Sequence, residues 1–204
     1  MSRARRRHLR RRVAPRGQGG HQAKYWKDLV ACAEYLVQQG YTSTSRLGIV
    51  GASAGGIAVG RAMTARPDLF SAVVSDVGNL NPLRDETTPI GAVSVPESGT
   101  VTEKPGFDAL LEMDAYQHVQ DGVNYPAALL LQGLNDPRVP AWESVKMTAR
   151  LQAASASGKP VLLRLQMDGG HFDDTRSQRL EQAADRWSFM LWQFGDPRFQ
   201  SSKR

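Results

Sequence analysis

The segment Gly51-Ala52-Ser53-Ala54-Gly55 constrains the fold of this chain more than any other part of the sequence. A short apolar run at 46–50 precedes it, and a helix of small residues follows and ends near Arg66, before Pro67. A G-x-S-x-G sequence between a strand and a helix is typical of a nucleophile elbow, which turns so sharply that side chains at the glycine positions are expected to clash. The pattern predicts that Ser53 projects above one edge of a sheet.

The pentapeptide alone is a weak signal, because short glycine-rich turns recur by chance. An ordinary strand-to-helix turn, with Ser53 as the N-cap of the helix, explains the same residues. The catalytic interpretation therefore depends on an acid and a histidine at matching places later in the chain.

Apolar runs alternate with helical patterns along the chain, which predicts an α/β fold with a mainly parallel sheet covered on both faces. We predict helices over 25–39, 142–156 and 175–194, and four strands over 46–50, 72–75, 128–132 and 161–165. Residues 79–125 break the alternation and indicate an irregular excursion with one or two short helices. In the last helix, the stripe expected to cover the sheet consists of Leu180, Ala184, Trp187, Leu191 and Phe194.

Two polar residues follow the third and fourth predicted strands. Asp136 lies in Asn135-Asp136-Pro137 and His171 follows Gly169-Gly170, so both are expected at the carboxyl edge of the sheet, where α/β folds assemble their sites. The chain order Ser, Asp, His is that of α/β-hydrolases. Asp136 could instead belong to a plain turn, and His171 could be a surface loop residue. His171 is nevertheless the only one of the four histidines that a predicted strand positions.

The net charge of +6 is concentrated at the N-terminus. Residues 1–20 hold eight of the 26 basic residues and no acid, so the remainder is slightly acidic. We interpret 1–20 as a disordered tail and 21–204 as the folded domain, in preference to a nucleic-acid-binding arm or a targeting segment. No apolar run is long enough to predict a membrane span. The single cysteine, Cys32, is predicted to be a buried structural thiol.

Several segments resemble the prolyl oligopeptidase family of serine peptidases, and the likeness extends from Lys24 to the end of the chain. The similar segments are 43–47, the elbow 51–56, 66–70, the acid loop 135–139, the helix 146–152 and the histidine loop 169–171. The resemblance implies a peptidase that cleaves short peptides, commonly after proline. Such an enzyme is expected to be cytoplasmic or periplasmic and to need no metal or organic cofactor. It also implies that the Ala54 amide stabilises the oxyanion and that Arg138 binds a substrate carbonyl, although Arg138 could equally form a surface ion pair.

The family's β-propeller and early strands have no counterpart in this sequence, so we expect a truncated α/β-hydrolase fold. A tyrosine of that upstream region supplies a second oxyanion donor in the family, and loss of one donor typically costs about a hundred- to a thousandfold in rate. An opened sheet is also expected to expose one strand edge and to favour self-association. Residues 1–20 are interpreted as the product of a truncated or mis-started reading frame. A carboxylesterase-type hydrolase and an inactive fragment remain the alternatives.

Overall fold

The computed structural model describes residues 24–89, 91–172 and 175–200, so the predicted tail at 1–20 lies outside the described residues. The helices are α1 (Lys24–Gln38), α2 (Gly55–Ala65), α3 (Gly91–Ser98), α4 (Lys104–Met113), α5 (Ala141–Ala154) and α6 (Arg176–Gln193). The strands are β1 (Gly48–Ala52), β2 (Ala72–Asp76), β3 (Ala127–Gly133) and β4 (Val161–Gln166). Each predicted helix and strand is therefore present, with bounds shifted by up to two residues.

The four strands form one parallel sheet in the order β1-β2-β3-β4. Helices α1, α2 and α5 cover one face, where their apolar side chains pack with Ile49, Val73 and Leu130. Helix α6 covers the other face, where Phe189 and Met190 pack with the remaining side chains of β2 and β3. The prediction of a parallel sheet between helices is confirmed.

Burial differs between the central and the outer strands. Every residue of β2 and β3 is buried, as the continuous apolar runs predicted. The prediction of a fully buried sheet is wrong for β1 and β4, which lie at the edges and are partly exposed. Val50 in β1 is 41% exposed.

The predicted apolar face of α6 is wrong in part, because Phe194 packs against the sheet as expected but Leu180 and Trp187 do not. Leu180 and Trp187 are 62% and 57% exposed, whereas Phe189 and Met190 are buried. The helix is rotated so that Arg186 reaches Asp76 at the end of β2 and forms an ion pair with it. A polar residue thus belongs to the packed face, which a hydrophobic pattern cannot reveal.

The prediction that Cys32 is buried is also wrong, because its thiol is exposed. On α1 the neighbouring Ala33 is the residue that packs into the core, together with Leu29, Val30 and Val37. None of the helices within the described ranges has the length and the apolar character that a bilayer span requires.

Candidate active site

The backbone of Ser53 is held in a left-handed conformation with φ of 54°. Its N–H donates to the carbonyl of Asp76 at 3.0 Å, and its carbonyl accepts from the amides of Gly56 at 2.8 Å and Asn79 at 2.9 Å. A non-glycine residue in this region is strained by about 1–3 kcal/mol and persists only where its surroundings fix it. The strand end of β2 and the residues after it provide that fixation.

Two positions around Ser53 require glycine, and only one of them is a glycine of the G-x-S-x-G motif. A Cβ on Gly51 would overlap the Gly55 backbone and the Val59 side chain, as the sharp turn predicted. A Cβ on Gly55 would meet nothing within 4 Å, so the predicted clash at that position is wrong. Gly56 is the second tight position, because its Cβ would lie 2.5 Å from Cα of Gly78. The close approach that needs glycine is therefore between the start of α2 and the loop after β2.

The three residues predicted to be catalytic are adjacent in space. Nε2 of His171 lies 2.9 Å from Oγ of Ser53, and Nδ1 of His171 lies 2.7 Å from Oδ2 of Asp136. Because an ionised carboxylate only accepts hydrogen bonds, Nδ1 carries the proton toward Asp136 and Nε2 is left to accept from the serine hydroxyl. The side chains of His171 and Asp136 are almost fully buried, so water competes little with these bonds.

Four donors fix the Asp136 carboxylate. Oδ1 accepts from the backbone amides of Arg138 at 2.8 Å and Val139 at 2.9 Å, and Oδ2 accepts from Gln132 Nε2 at 3.3 Å as well as from the imidazole. Gln132 is 3% exposed and its own carbonyl oxygen accepts from Ser144 in α5. Sequence reasoning missed Gln132, since a single glutamine inside an apolar strand carries no motif.

The loops that carry the acid and the histidine are bonded to each other. The amide of Asn135 donates to the carbonyl of Gly169 at 3.0 Å, and its side chain donates to the carbonyl of Met167 at 2.9 Å. A Cβ on Gly133 would overlap the backbone of Gly169 and Gly170. The two loops are therefore joined by direct contacts, which keep the carboxylate beside the imidazole.

The other two predicted site residues lie beside this constellation in sequence. Ala54 follows the serine and stands at the N-cap of α2, so its N–H belongs to the helix end, which attracts negative charge. Arg138 is bonded to Asp136 through its backbone, while its side chain is exposed and has no hydrogen bond or ion pair within the described part of the chain. Both residues can therefore meet a substrate without giving up an existing contact.

A group of buried carboxyl groups lies behind the elbow. Glu143 is 2% exposed, and burial raises its pKa to about 7; burial also raises the pKa of Asp85 to about 6 and that of Asp114 above its ordinary value. Bonds from the amides of Leu80 and Asn81 oppose the shift at Glu143. Across the described residues, no three His, Cys, Asp or Glu side chains are arranged to hold a metal ion.

The chain is similar in sequence and in fold to known proteins. The prolyl oligopeptidase family matches residues 15–197. A prolyl endopeptidase of Elizabethkingia miricola is 35% identical over 172 residues, which make up 83% of this chain and 24% of that protein. A solved structure from a study of two prolyl endopeptidases superposes with a TM-score of 0.80 at 37% identity, covering 83% of this chain and 25% of the other. Oligopeptidase B from Leishmania major gives a TM-score of 0.80 at 28% identity, covering 83% and 24%.

The parallel sheet, its flanking helices and the elbow place the molecule among the α/β-hydrolases. Within that class, the chain belongs to the prolyl oligopeptidase family of serine peptidases, as its motifs predicted. It spans about a quarter of the length of the relatives it matches.

Proposed function

We propose that this chain carries the catalytic residues of a serine peptidase that hydrolyses short peptides. The proposal rests on two hydrogen bonds in series. One joins Ser53 Oγ to His171 Nε2 at 2.9 Å, and the other joins His171 Nδ1 to Asp136 Oδ2 at 2.7 Å. A hydroxyl is a weak nucleophile unless a base removes its proton as it attacks. The arrangement supplies that base and the acid that orients it.

The reaction is acyl transfer to water in two steps. His171 accepts the proton of Ser53 as Oγ bonds to the peptide carbonyl carbon, and the oxyanion forms beside the amide of Ala54. The carbon–nitrogen bond then breaks as His171 returns the proton to the leaving amine. In the second step His171 deprotonates water, which attacks the acyl carbon. The ester carbon–oxygen bond then breaks as His171 returns the proton to Ser53 Oγ, and the acid is released. Asp136 stays ionised and fixes the tautomer of the imidazole.

Family membership supports a class of substrate. Relatives of this chain are named prolyl endopeptidases and a dipeptidyl aminopeptidase, which supports a peptide substrate, with cleavage after proline as the first preference to test. Arg138 supports the same choice, because a free guanidinium two residues after the acid can hold a backbone carbonyl of the substrate.

Assaying the same protein on a peptide amide and on an ester separates this proposal from its alternatives. We expect the purified protein to release amine from a blocked Gly-Pro amide and p-nitrophenol from a short p-nitrophenyl ester, and we expect Ser53→Ala to abolish both reactions. Arg138→Met is expected to raise KM for the peptide more than for the ester. Turnover of the ester alone would support a carboxylesterase, and turnover of neither would support an inactive fragment.

We also propose that two copies of the chain pair along the outer edge of β1. The strand has no neighbour on that side within the described residues, and it contains neither proline nor a charged residue to block pairing. We expect a concentration-dependent dimer in size-exclusion chromatography, which Val50→Lys converts to a monomer. A wild-type monomer at all concentrations contradicts the pairing.

A further inference from the structure

Glu143 is a buried carboxyl group that the proposed reaction does not use. It lies in the first turn of α5, where an acidic residue commonly faces solvent and interacts with the helix dipole. Here the side chain points inward and is 2% exposed. Its Oε2 accepts the backbone N–H of Leu80 at 2.8 Å and of Asn81 at 3.1 Å. Without that oxygen, two buried amides would lack an acceptor.

These two amides belong to a loop that contacts the nucleophile. We call residues 77–81, which follow β2, the support loop. Within it, Asn79 donates to the carbonyl of Ser53 at 2.9 Å, and Gly78 packs against Gly56 at the start of α2. The support loop is thus one of the elements that keep Ser53 in its strained conformation, and Glu143 holds the end of that loop.

The same helix positions the acid of the site. The amide of Glu143 donates to the carbonyl of Pro140 at 3.0 Å, at the end of the loop that carries Asp136. The next residue, Ser144, donates to Gln132, which donates to Asp136. The start of α5 therefore contacts the serine side of the site through Glu143 and the acid side through Ser144.

Other polar groups fix the support loop from neighbouring elements. Asn81 donates to Asp114 at 2.6 Å and accepts from Lys146 at 3.1 Å, and Asn79 donates to Asp85 at 2.6 Å. These bonds are made by side chains of the loop. Among the described side chains, Glu143 is the one that accepts from two consecutive backbone amides of this loop. Together with the bond from the Val77 amide to the Leu131 carbonyl, it fixes the path of the main chain.

We propose that Glu143 is a positioning residue that sets the distance between Ser53 and the His171–Asp136 pair through the support loop. The inference rests on the proposed function, since a position has a catalytic consequence only if Ser53 is the nucleophile. The acceptor oxygen is what the loop requires, so a glutamine carbonyl can replace it and an apolar side chain of similar size cannot.

Three variants test this inference. Glu143→Gln keeps an acceptor, Glu143→Met removes it at similar volume, and Met190→Ala is a matched control. Met190 lies against Gly48 at the opposite end of β1 from the elbow, and its truncation weakens the core without touching the support loop. The readouts are the second-order rate of fluorophosphonate labelling, kcat and KM for the ester, and the thermal midpoint.

We expect Glu143→Met to lose about a hundredfold in labelling rate and in kcat with little change in KM, the scale of a misplacement near 1 Å. Glu143→Gln and Met190→Ala should stay within about threefold of the wild type, a small fraction of the loss that such a misplacement causes. If Glu143→Met does not fold, Glu143→Asp takes its place, because the shorter side chain withdraws the oxygen from the two amides.

The outcomes are distinct. Labelling of the wild type that is lost in Ser53→Ala supports the proposed function. If Glu143→Met then labels like the wild type, or if Glu143→Gln is as slow as Glu143→Met, the positioning role is wrong and the proposed function stands. If Met190→Ala is equally slow, general destabilisation explains the loss and the role is again wrong. A wild type that does not label contradicts the proposed function and this inference with it.

Discussion

Gly56 and Gly78 pack backbone against backbone, so closely that a Cβ on Gly56 would lie 2.5 Å from Cα of Gly78. This contact joins the first turn of α2 to the support loop beneath Ser53. The serine is therefore held from two sides, by the end of β2 through its N–H and by the support loop through its carbonyl.

Alanine at two adjacent glycines should have opposite effects. Gly56→Ala forces the support loop away from the elbow, and we expect a loss of about 1–3 kcal/mol of unfolding free energy from overpacking. Gly55→Ala places its methyl group in open space within a helix, where alanine is favoured by up to about 1 kcal/mol over glycine. Urea unfolding of the two variants measures the difference, and equal destabilisation would contradict the close contact at Gly56.

Asp136→Asn should remove activity while leaving the fold intact. The asparagine carbonyl can still accept the amides of Arg138 and Val139, but its NH₂ group would face Nδ1 of His171 and favour the wrong tautomer. The same change in a Ser-His-Asp triad costs about 10⁴-fold in kcat. The exposed Asp168→Asn, three residues before His171, is the control and should keep its kcat for the ester. An Asp136→Asn variant as active as that control would show that the carboxylate has no part in the reaction.

Glu143 should make the stability of the protein fall as the pH rises from about 4.5 to 7. Its pKa is raised from the ordinary 4.5 to about 7 in the folded state, mainly by burial. Between these values the folded state binds more protons than the unfolded state, so the stabilisation is complete below pH 4.5 and is lost as the pH rises through 7. The shift corresponds to about 3 kcal/mol.

Glu143→Gln cancels this effect because glutamine does not titrate. We expect the unfolding free energy of the wild type, relative to the variant, to decrease by about 3 kcal/mol between pH 4 and pH 8 in urea titrations. Asp85 and Asp114, whose pKa values are raised in the same direction, are present in both proteins. A difference that is constant across this range would mean that Glu143 titrates normally.

The orientation of α6 predicts unequal effects of two aromatic truncations. Phe189 is 5% exposed and packs on the sheet, whereas Trp187 is 57% exposed. Phe189→Ala is expected to cost about 3–5 kcal/mol of unfolding free energy. Trp187→Ala is expected to cost under about 1 kcal/mol, as for most surface changes. A larger loss of unfolding free energy for Trp187→Ala than for Phe189→Ala would mean that the face predicted from the hydrophobic pattern is the packed one.

The parts of the molecule that could be predicted are those where a residue type in its sequence context has one common structural role. The elbow could be found because a strained turn between a strand and a helix needs small residues, and the acid and base could be found because each follows a buried strand. The order of the four strands was not predictable, since an apolar run does not say which neighbour it pairs with. It is the parallel pairing that brings Ser53 and His171 together across 118 residues.

Residues with several equally common roles were missed or misplaced. Gln132 and Glu143 carry no pattern, because a glutamine in a strand or a glutamate in a first helical turn is usually a surface residue. Cys32 was predicted to be buried because thiols commonly are, but the rotation of α1 turns it to solvent. The face of α6 was misjudged because an ion pair between Arg186 and Asp76 helps to determine it.

The site at which a fluorophosphonate becomes attached tests most directly whether Ser53 is the nucleophile. The reagent forms a bond between phosphorus and an activated serine oxygen and releases fluoride, so its position reports which hydroxyl the imidazole deprotonates. We predict a single adduct on the tryptic peptide of residues 47–61, located at Ser53 by fragmentation mass spectrometry, and its loss in His171→Ala. An adduct on another serine, or an unchanged yield at Ser53 in His171→Ala, would show that His171 does not activate Ser53 as the nucleophile.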